Sequence, residues 1–195
     1  MAAPAPPAVV FPHDSRPPPR RYARTPSITA LPDAMSFDPP PRDPPALDFA
    51  FAIRVQFSPR VKLGKLPNGF VRGYTGVVGG EVSGPMLKGE VVPHSGGDWP
   101  AYWDNGAVEF TAQYMLKADD GTLILLKNRG FRHAPPEVCA RMERLDPVEP
   151  EEYYMRLAPF FEAPAGPHDW MNRHVFVGTA ERRTDHSVFR FWLVR

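Results

Sequence analysis

The chain has 195 residues, of which 43% are hydrophobic and 12% aromatic, which is enough apolar material for one domain with a sizeable core. It carries 23 lysines and arginines against 22 aspartates and glutamates, and because the basic residues are scattered, a nucleic-acid partner is not expected. No apolar run reaches the roughly 20 residues that a membrane-spanning helix needs, and the lone Cys139 cannot form an internal disulfide, which predicts a globular protein of the reducing cytoplasm.

The first 45 residues are dominated by proline. Fourteen of the 26 prolines precede position 46, and proline lacks the backbone N–H that helices and sheets require. We predict an extended or disordered arm over residues 1–45, followed by a single domain over residues 46–195.

The remainder of the chain has the texture of an all-β protein. Short apolar runs are separated by turn residues at intervals of about ten positions, without helical periodicity. One short helix is predicted near residues 135–145, where Pro135 and Pro136 open the first turn and Glu137 lies at its positive end. About nine strands suit a barrel or a sandwich. They are predicted over residues 49–57, 70–78, 80–84, 86–92, 107–117, 122–129, 153–161, 173–181 and 187–194.

A β-hairpin over residues 107–129 is the clearest local prediction. Its tip places Gly121 where a type I turn with a bulge needs a left-handed residue. A three-residue tip sets Tyr114 opposite Leu126 and Gln113 opposite Lys127, whereas a two-residue tip sets Gln113 opposite Asn128. The sequence leaves this register open, and it also leaves open whether the face that carries Gln113 is solvated surface or the lining of a polar cavity.

Residues 79–99 join a glycine-rich segment to Asp98 and Trp99. Repeated glycines in β sequence indicate a strongly curved strand. A carboxylate beside large aromatic rings can have a raised pKa and act as an acid or base, whereas an aspartate in a glycine-rich turn often caps backbone amides. Both roles remain open for Asp98.

A second cluster of candidate residues leads into the predicted strand 173–181. Trp170 and Asn172 are two positions apart and are expected to share one face of that strand. The Asn172 amide can polarise a substrate carbonyl or join two strands structurally. The six histidines lack the spacing of metal ligands, and every glycine-rich segment leads into a strand, so we predict no metal and no nucleotide cofactor.

Several short motifs occur along the chain in a definite order and spacing. They are Gly79-Gly80, Gly84-Pro85, Leu87, Gly89, Val92-Pro93, Gly96-Gly97-Asp98-Trp99, Tyr114, Asp120-Gly121, Phe161-Glu162 and Trp170-Met171-Asn172. In combination these motifs resemble the domain-of-unknown-function family 3237 from about residue 47 to residue 195. The resemblance implies a single antiparallel β-barrel, similar in type to allene oxide cyclase and dirigent barrels, and it implies no settled reaction. The family commonly has arginine where this chain has Gln113, which puts a carboxylate substrate in doubt.

These observations favour a cofactor-independent enzyme that acts on a small, largely apolar organic molecule inside the barrel by isomerisation, cyclisation or elimination, in secondary or aromatic metabolism. The alternative is a barrel that binds a small molecule without changing it, and self-association is left open. The expected catalytic residues are Asp98, Glu81 and Asn172. The expected substrate-binding residues are Trp99, Gln113, Tyr114, Arg129 and Trp170.

Overall fold

The computed structural model describes residues 43–144, 146–183 and 185–195. Nearly all of the proline-rich arm predicted over residues 1–45 therefore lies outside the described residues. One α-helix, α1 (Pro136–Glu143), and two short 3-10 helices, Pro150–Glu152 and Asp169–Arg173, join the strands. The strands are β1 (Leu47–Phe57), β2 (Val61–Lys65), β3 (Val71–Ser83), β4 (Gly89–Val91), β5 (Gly97–Asp98), β6 (Ala101–Tyr102), β7 (Val108–Ala118), β8 (Leu123–His133), β9 (Tyr154–Glu162), β10 (Phe176–Arg182) and β11 (Ser187–Val194).

The strands form a closed antiparallel barrel. Strand β1 pairs with β11 on one side and with β3 on the other, which removes the sheet edges. The short strands β4, β5 and β6 together occupy one position between β3 and β7, so the barrel has eight positions, and β2 extends β3 outside it. The predicted barrel with one short helix is confirmed.

The strand count differs from the prediction because β2, β5 and β6 were not predicted, and β5 and β6, at two residues each, are too short to show a periodic signal. The two strands predicted over residues 70–78 and 80–84 are a single strand, β3. Gly79 does not end this strand: it adopts φ +153° beside a register shift against β1, where Gln56 faces Gly79 and Phe57 faces Val77. Such a bulge bends a strand without terminating it.

The hairpin of β7 and β8 has the register of the three-residue tip. Tyr114 pairs with Leu126 and Gln113 with Lys127. At the tip Gly121 has φ +88°, as predicted, and the Ala118 N–H donates to the Thr122 carbonyl at 2.9 Å. Side chains alternate across a strand, and here Tyr114 is buried inside the barrel while Gln113 is exposed on its outer face.

One half of the barrel is filled by an aromatic core. Phe51, Phe161 and Phe191 pack edge to face, with ring centroids 5.5 to 5.9 Å apart. Phe176 joins them from β10, and the fully buried Met171 of the second 3-10 helix packs at the same end. Aromatic pairs of this geometry stabilise a core beyond the area they bury. The other half of the barrel is open.

Candidate active site

The open half of the barrel contains a cavity of about 590 Å³. This volume lies within the range of small-molecule sites, roughly 300–1,000 Å³. The cavity is lined by inward-facing residues of β1, β3, β5 and β7 to β11, together with Glu143 at the end of α1. Its apolar walls are formed by Phe57, Phe110, Met155, Leu157 and Phe189.

A row of small and polar residues crosses the cavity from strand to strand. Thr75 of β3 pairs with Asp98 of β5, Asp98 with Ala112 of β7, and Ala112 with Asn128 of β8. All four line the cavity. Asp98 and Asn128 are separated by two strand spacings, about 10 Å, with the small Ala112 between them. This row leaves room for a ligand between a carboxylate and an amide.

Asp98 is the buried acid of the cavity, with 8% of its surface exposed. Its Oδ1 accepts a hydrogen bond from the Thr111 N–H at 3.0 Å. Burial raises the pKa of Asp98 from 3.8 to about 6, against the lowering effects of the Thr111 and Trp99 amides and of the charges on Arg60 and Arg72. Asp98 thus caps the Thr111 backbone amide, as one of the two interpretations expected, and its carboxyl group also lines the cavity with a pKa of about 6.

Two further polar atoms of the cavity have no hydrogen-bond partner among the described protein groups. They are the Tyr114 hydroxyl and the Oδ1 of Asn128, both fully buried. Burial, together with the charge of Asp98, raises the pKa of Tyr114, which keeps its hydroxyl neutral and able to donate. Buried polar atoms are seldom left unpaired. Here they offer one donor and one acceptor to a ligand.

Four of the predicted site residues lie on the outer face of the barrel. Glu81 and Gln113 are exposed and lie outside the cavity. The Arg129 side chain is 65% exposed and forms an ion pair with Glu109. Trp99 is 40% exposed and packs against Tyr74, with ring centroids 5.1 Å apart.

Trp170 and Asn172 lie outside the cavity, at the end of the barrel that the aromatic core fills. Trp170 and Asn172 belong to the 3-10 helix Asp169–Arg173 rather than to a strand, so the expectation that they share a strand face is wrong. The Asn172 amide accepts from the Ala163 N–H and donates to the Ala163 and Asp169 carbonyls. The hypothesis that Asn172 and Gln113 face the same cavity as Asp98 is therefore wrong, and only Asp98 and Tyr114 of the eight predicted residues line it.

Sequence reasoning missed Asn128 and the arginines at the mouth of the cavity, Arg60, Arg132 and Arg182. A signal for two of them was present. In β8 the inward positions run Ile124, Leu126, Asn128, Gly130 and Arg132, so a polar residue and a charged residue follow two core residues on one face.

The structure provides no clustered metal ligands within the described ranges: no group of three or more histidine, cysteine, aspartate or glutamate side chains there could hold an ion. No helix in those ranges has both the length and the apolar character that a bilayer crossing requires.

Fold and site together define a closed antiparallel β-barrel that holds a buried carboxyl group inside a cavity of small-molecule size. The chain belongs to the family described as Protein of unknown function (DUF3237), which matches residues 45–194. The family resemblance inferred from the sequence motifs is thereby confirmed.

Bacterial relatives support this membership. The chain is 32% identical over 140 residues to the UPF0311 protein RPA1785 of Rhodopseudomonas palustris, covering 72% of this chain and 90% of that protein. It is also 32% identical over 146 residues to the UPF0311 protein blr7842 of Bradyrhizobium diazoefficiens, covering 74% and 94%.

Solved structures share the fold. The crystal structure of RPA1785, a conserved protein of unknown function, matches with a TM-score of 0.74 and 29% identity over 77% of this chain and 98% of that chain. A β-barrel-like protein from Acinetobacter baumannii matches with a TM-score of 0.69 and 27% identity over 80% and 99%. A structure described as an enzyme from Penicillium herquei shares the fold at a TM-score of 0.59 and 18% identity, over 80% and 98%.

Proposed function

We propose that this protein is a cofactor-independent enzyme that acts on a small, largely apolar organic molecule by isomerisation, cyclisation or elimination, with Asp98 as its general acid or base. The observation that carries the proposal is the Asp98 carboxyl group, which is buried against an apolar cavity and has a pKa of about 6. A base of this pKa is largely ionised at neutral pH and still accepts a proton effectively. General acid–base catalysis is most efficient when both conditions hold.

The neighbours of Asp98 complete a site for carbon acid chemistry. The Asp98 carboxylate removes a proton from carbon, and the electron pair moves onto an adjacent carbonyl oxygen as an enolate. The neutral Tyr114 hydroxyl has no protein acceptor and donates to that oxygen. The proton then returns to a different carbon, or the electron pair expels a leaving group. The apolar walls keep water from the enolate.

Two further considerations support the class of substrate. The walls formed by Phe57, Phe110 and Phe189 suit an aromatic or otherwise unsaturated body, as expected in secondary or aromatic metabolism. The neighbour from Penicillium herquei carries the word enzyme in its description. Because its identity is low, it supports only the capacity of this type of barrel for catalysis.

The proposal is tested by proton exchange. Aryl ketones with an acidic α-hydrogen are incubated with the full chain in D2O, and deuterium incorporation is followed by mass spectrometry. We expect Asp98→Asn to lower the exchange rate by roughly 10²- to 10⁴-fold, the contribution typical of a general base. Glu81→Gln, which removes an exposed carboxylate outside the cavity, is the matched control and should retain the wild-type rate.

A barrel that only binds its ligand would give a different result. Ketones would then be retained in the cavity without exchange above the solution rate, and Asp98→Asn would alter affinity but no rate. The unpaired Tyr114 and Asn128 atoms favour this second candidate as much as the first, because hydrogen bonding alone would satisfy them.

A further inference from the structure

Three arginines gather at the mouth of the cavity, at the end opposite the aromatic core, beside a fourth, Arg183, whose guanidinium pairs with Glu181. Arg132 is an inward-facing residue of β8, Arg182 ends β10, and Arg60 lies between β1 and β2. All three line the cavity. Arg132 and Arg182 are partly buried, so their charges are partly removed from water.

None of the three forms an ion pair within the described part of the chain, although acidic residues lie nearby. Glu181 also lines the cavity, but its carboxylate is held by Arg183 and Arg190. Asp185 is engaged by His186 at 2.6 Å. Some arginines elsewhere have carboxylate partners, as Arg129 has Glu109 and Arg141 has Glu152. Others donate to backbone carbonyls, as Arg72 does to Trp99.

The three guanidinium groups instead act on one another. Burial lowers the pKa of Arg132, and the charge of Arg60 lowers it further. Burial likewise lowers the pKa of Arg182, with Arg60 and Arg132 adding to the effect. The groups that oppose these shifts are the phenols of Tyr102 and Tyr153 and, for Arg132, also the Cys139 thiol. Like charges so placed are unfavourable unless an anion joins them.

Their geometry leaves hydrogen-bond donors available. The Arg132 guanidinium lies over the Phe110 ring, 5.8 Å from its centroid, and the Arg60 guanidinium lies over the Tyr102 ring at 5.4 Å. A stacked guanidinium uses its flat face, while its N–H groups point outward in the plane in the fork that matches a carboxylate.

We propose that Arg60, Arg132 and Arg182 bind the carboxylate of the substrate, so that the protein acts on a small organic acid whose unsaturated body reaches toward Asp98. This inference rests on the proposed function, because it takes the cavity to be the substrate site. Arg132 and Asn128 are four positions apart on one strand face, about 13 Å of strand, which accommodates a body of one or two rings between the two polar ends.

The remaining charges at the mouth favour a monoanion. Glu143 also lines this end, and no ion pair holds its carboxylate within the described part of the chain, so it would repel a phosphate dianion more strongly than a carboxylate. The glutamine at position 113 does not argue against an acid substrate, because the structure turns Gln113 to the outside of the barrel.

Paired probes of equal shape and different charge test the proposal. Benzoate, cinnamate and 2-naphthoate are each titrated into the full chain beside the corresponding primary amide, with calorimetry as the readout. We expect at least one carboxylate to bind about tenfold or more tightly than its amide, the range of one charged hydrogen-bonded pair. Arg132→Gln and Arg182→Gln should each remove most of that preference while leaving amide affinity unchanged.

Arg129→Gln is the matched control, since it removes an arginine of the same strand whose side chain lies outside the cavity, and it should keep the preference for carboxylate. Three results would overturn the inference: no carboxylate binds at millimolar concentration, acid and amide bind equally, or inorganic phosphate displaces the carboxylate at equal concentration. Asp98→Asn separates this proposal from the catalytic one, because it should lower the rate of proton exchange by roughly 10²- to 10⁴-fold and leave the preference for carboxylate over amide intact.

Discussion

Replacing Asp98 with asparagine should stabilise the protein at neutral pH. At acidic pH, where the Asp98 carboxyl is protonated, the same substitution should give no gain in stability. Asparagine has nearly the same shape and its amide oxygen can still accept the Thr111 N–H, but it carries no charge to bury. The change thus removes the ionisation of a carboxyl group that is 8% exposed, with little change in packing.

The magnitude follows from proton linkage. The folded state raises the pKa of Asp98 from 3.8 to about 6, so it binds the proton more tightly than the unfolded state does. The contribution of Asp98 to the free energy of unfolding of the wild type is therefore greatest below about pH 3.8 and falls between the two pKa values. Above about pH 6 the free energy of unfolding is lower by a constant amount of roughly 3 kcal/mol. Since the variant has no such titration, its stability relative to wild type should rise by about 2 kcal/mol between about pH 4.5 and pH 8.

Urea denaturation followed by tryptophan fluorescence measures this difference, with four tryptophans as reporters. Glu81→Gln is the control, because its exposed side chain meets water in both the folded and the unfolded chain. The reasoning is refuted if the stability difference between Asp98→Asn and wild type is independent of pH, or if it shrinks as the pH rises. A constant offset would reflect altered packing alone.

Four further outcomes are expected. The rate of proton exchange should rise with pH through about 6 and then level off, as measured by exchange kinetics in buffered D2O, since the Asp98 carboxylate is the base. Ala112→Leu should fill the cavity and weaken ligand binding in calorimetry with a change in stability below about 1.5 kcal/mol. Asn172→Ala should lower the free energy of unfolding measured in urea by about 2 kcal/mol, because three hydrogen bonds are lost, without affecting ligand affinity. Gly96→Ala should prevent stable folding, seen as loss of cooperative unfolding, because its Cβ would stand 1.9 Å from the Gln113 carbonyl oxygen.

The sequence predicts the parts of this protein that local chemistry determines. The tip at Gly121 needs a left-handed residue, and the alternation of β7 places Tyr114 on the same face as the core residue Leu116. The same alternation could have excluded Gln113, since neighbours on a strand face opposite ways. It could also have identified Asn128, which follows two core residues on the inward face of β8.

Residues whose place depends on long-range closure could not be predicted in this way. Trp170 and Asn172 lie in a short 3-10 helix held against the end of β9, and no periodic pattern marks such a turn. Arg60 and Arg182 are far apart in sequence and meet only because β1, β11 and β10 are consecutive in the closed barrel. Their common site follows from topology, which the sequence encodes only through the whole fold.

The two halves of the barrel divide stability from function. The packed half contains fully buried rings, with Phe51, Phe161 and Phe191 in mutual contact, and it has the apolar burial that stabilises a domain. The open half holds groups that lower stability: an ionised buried carboxylate, an unpaired hydroxyl and guanidinium groups that repel one another. Each of these groups costs free energy in the empty protein. The proposed organic acid would join the guanidinium groups through its carboxylate and accept from the hydroxyl, which would account for their concentration in one cavity.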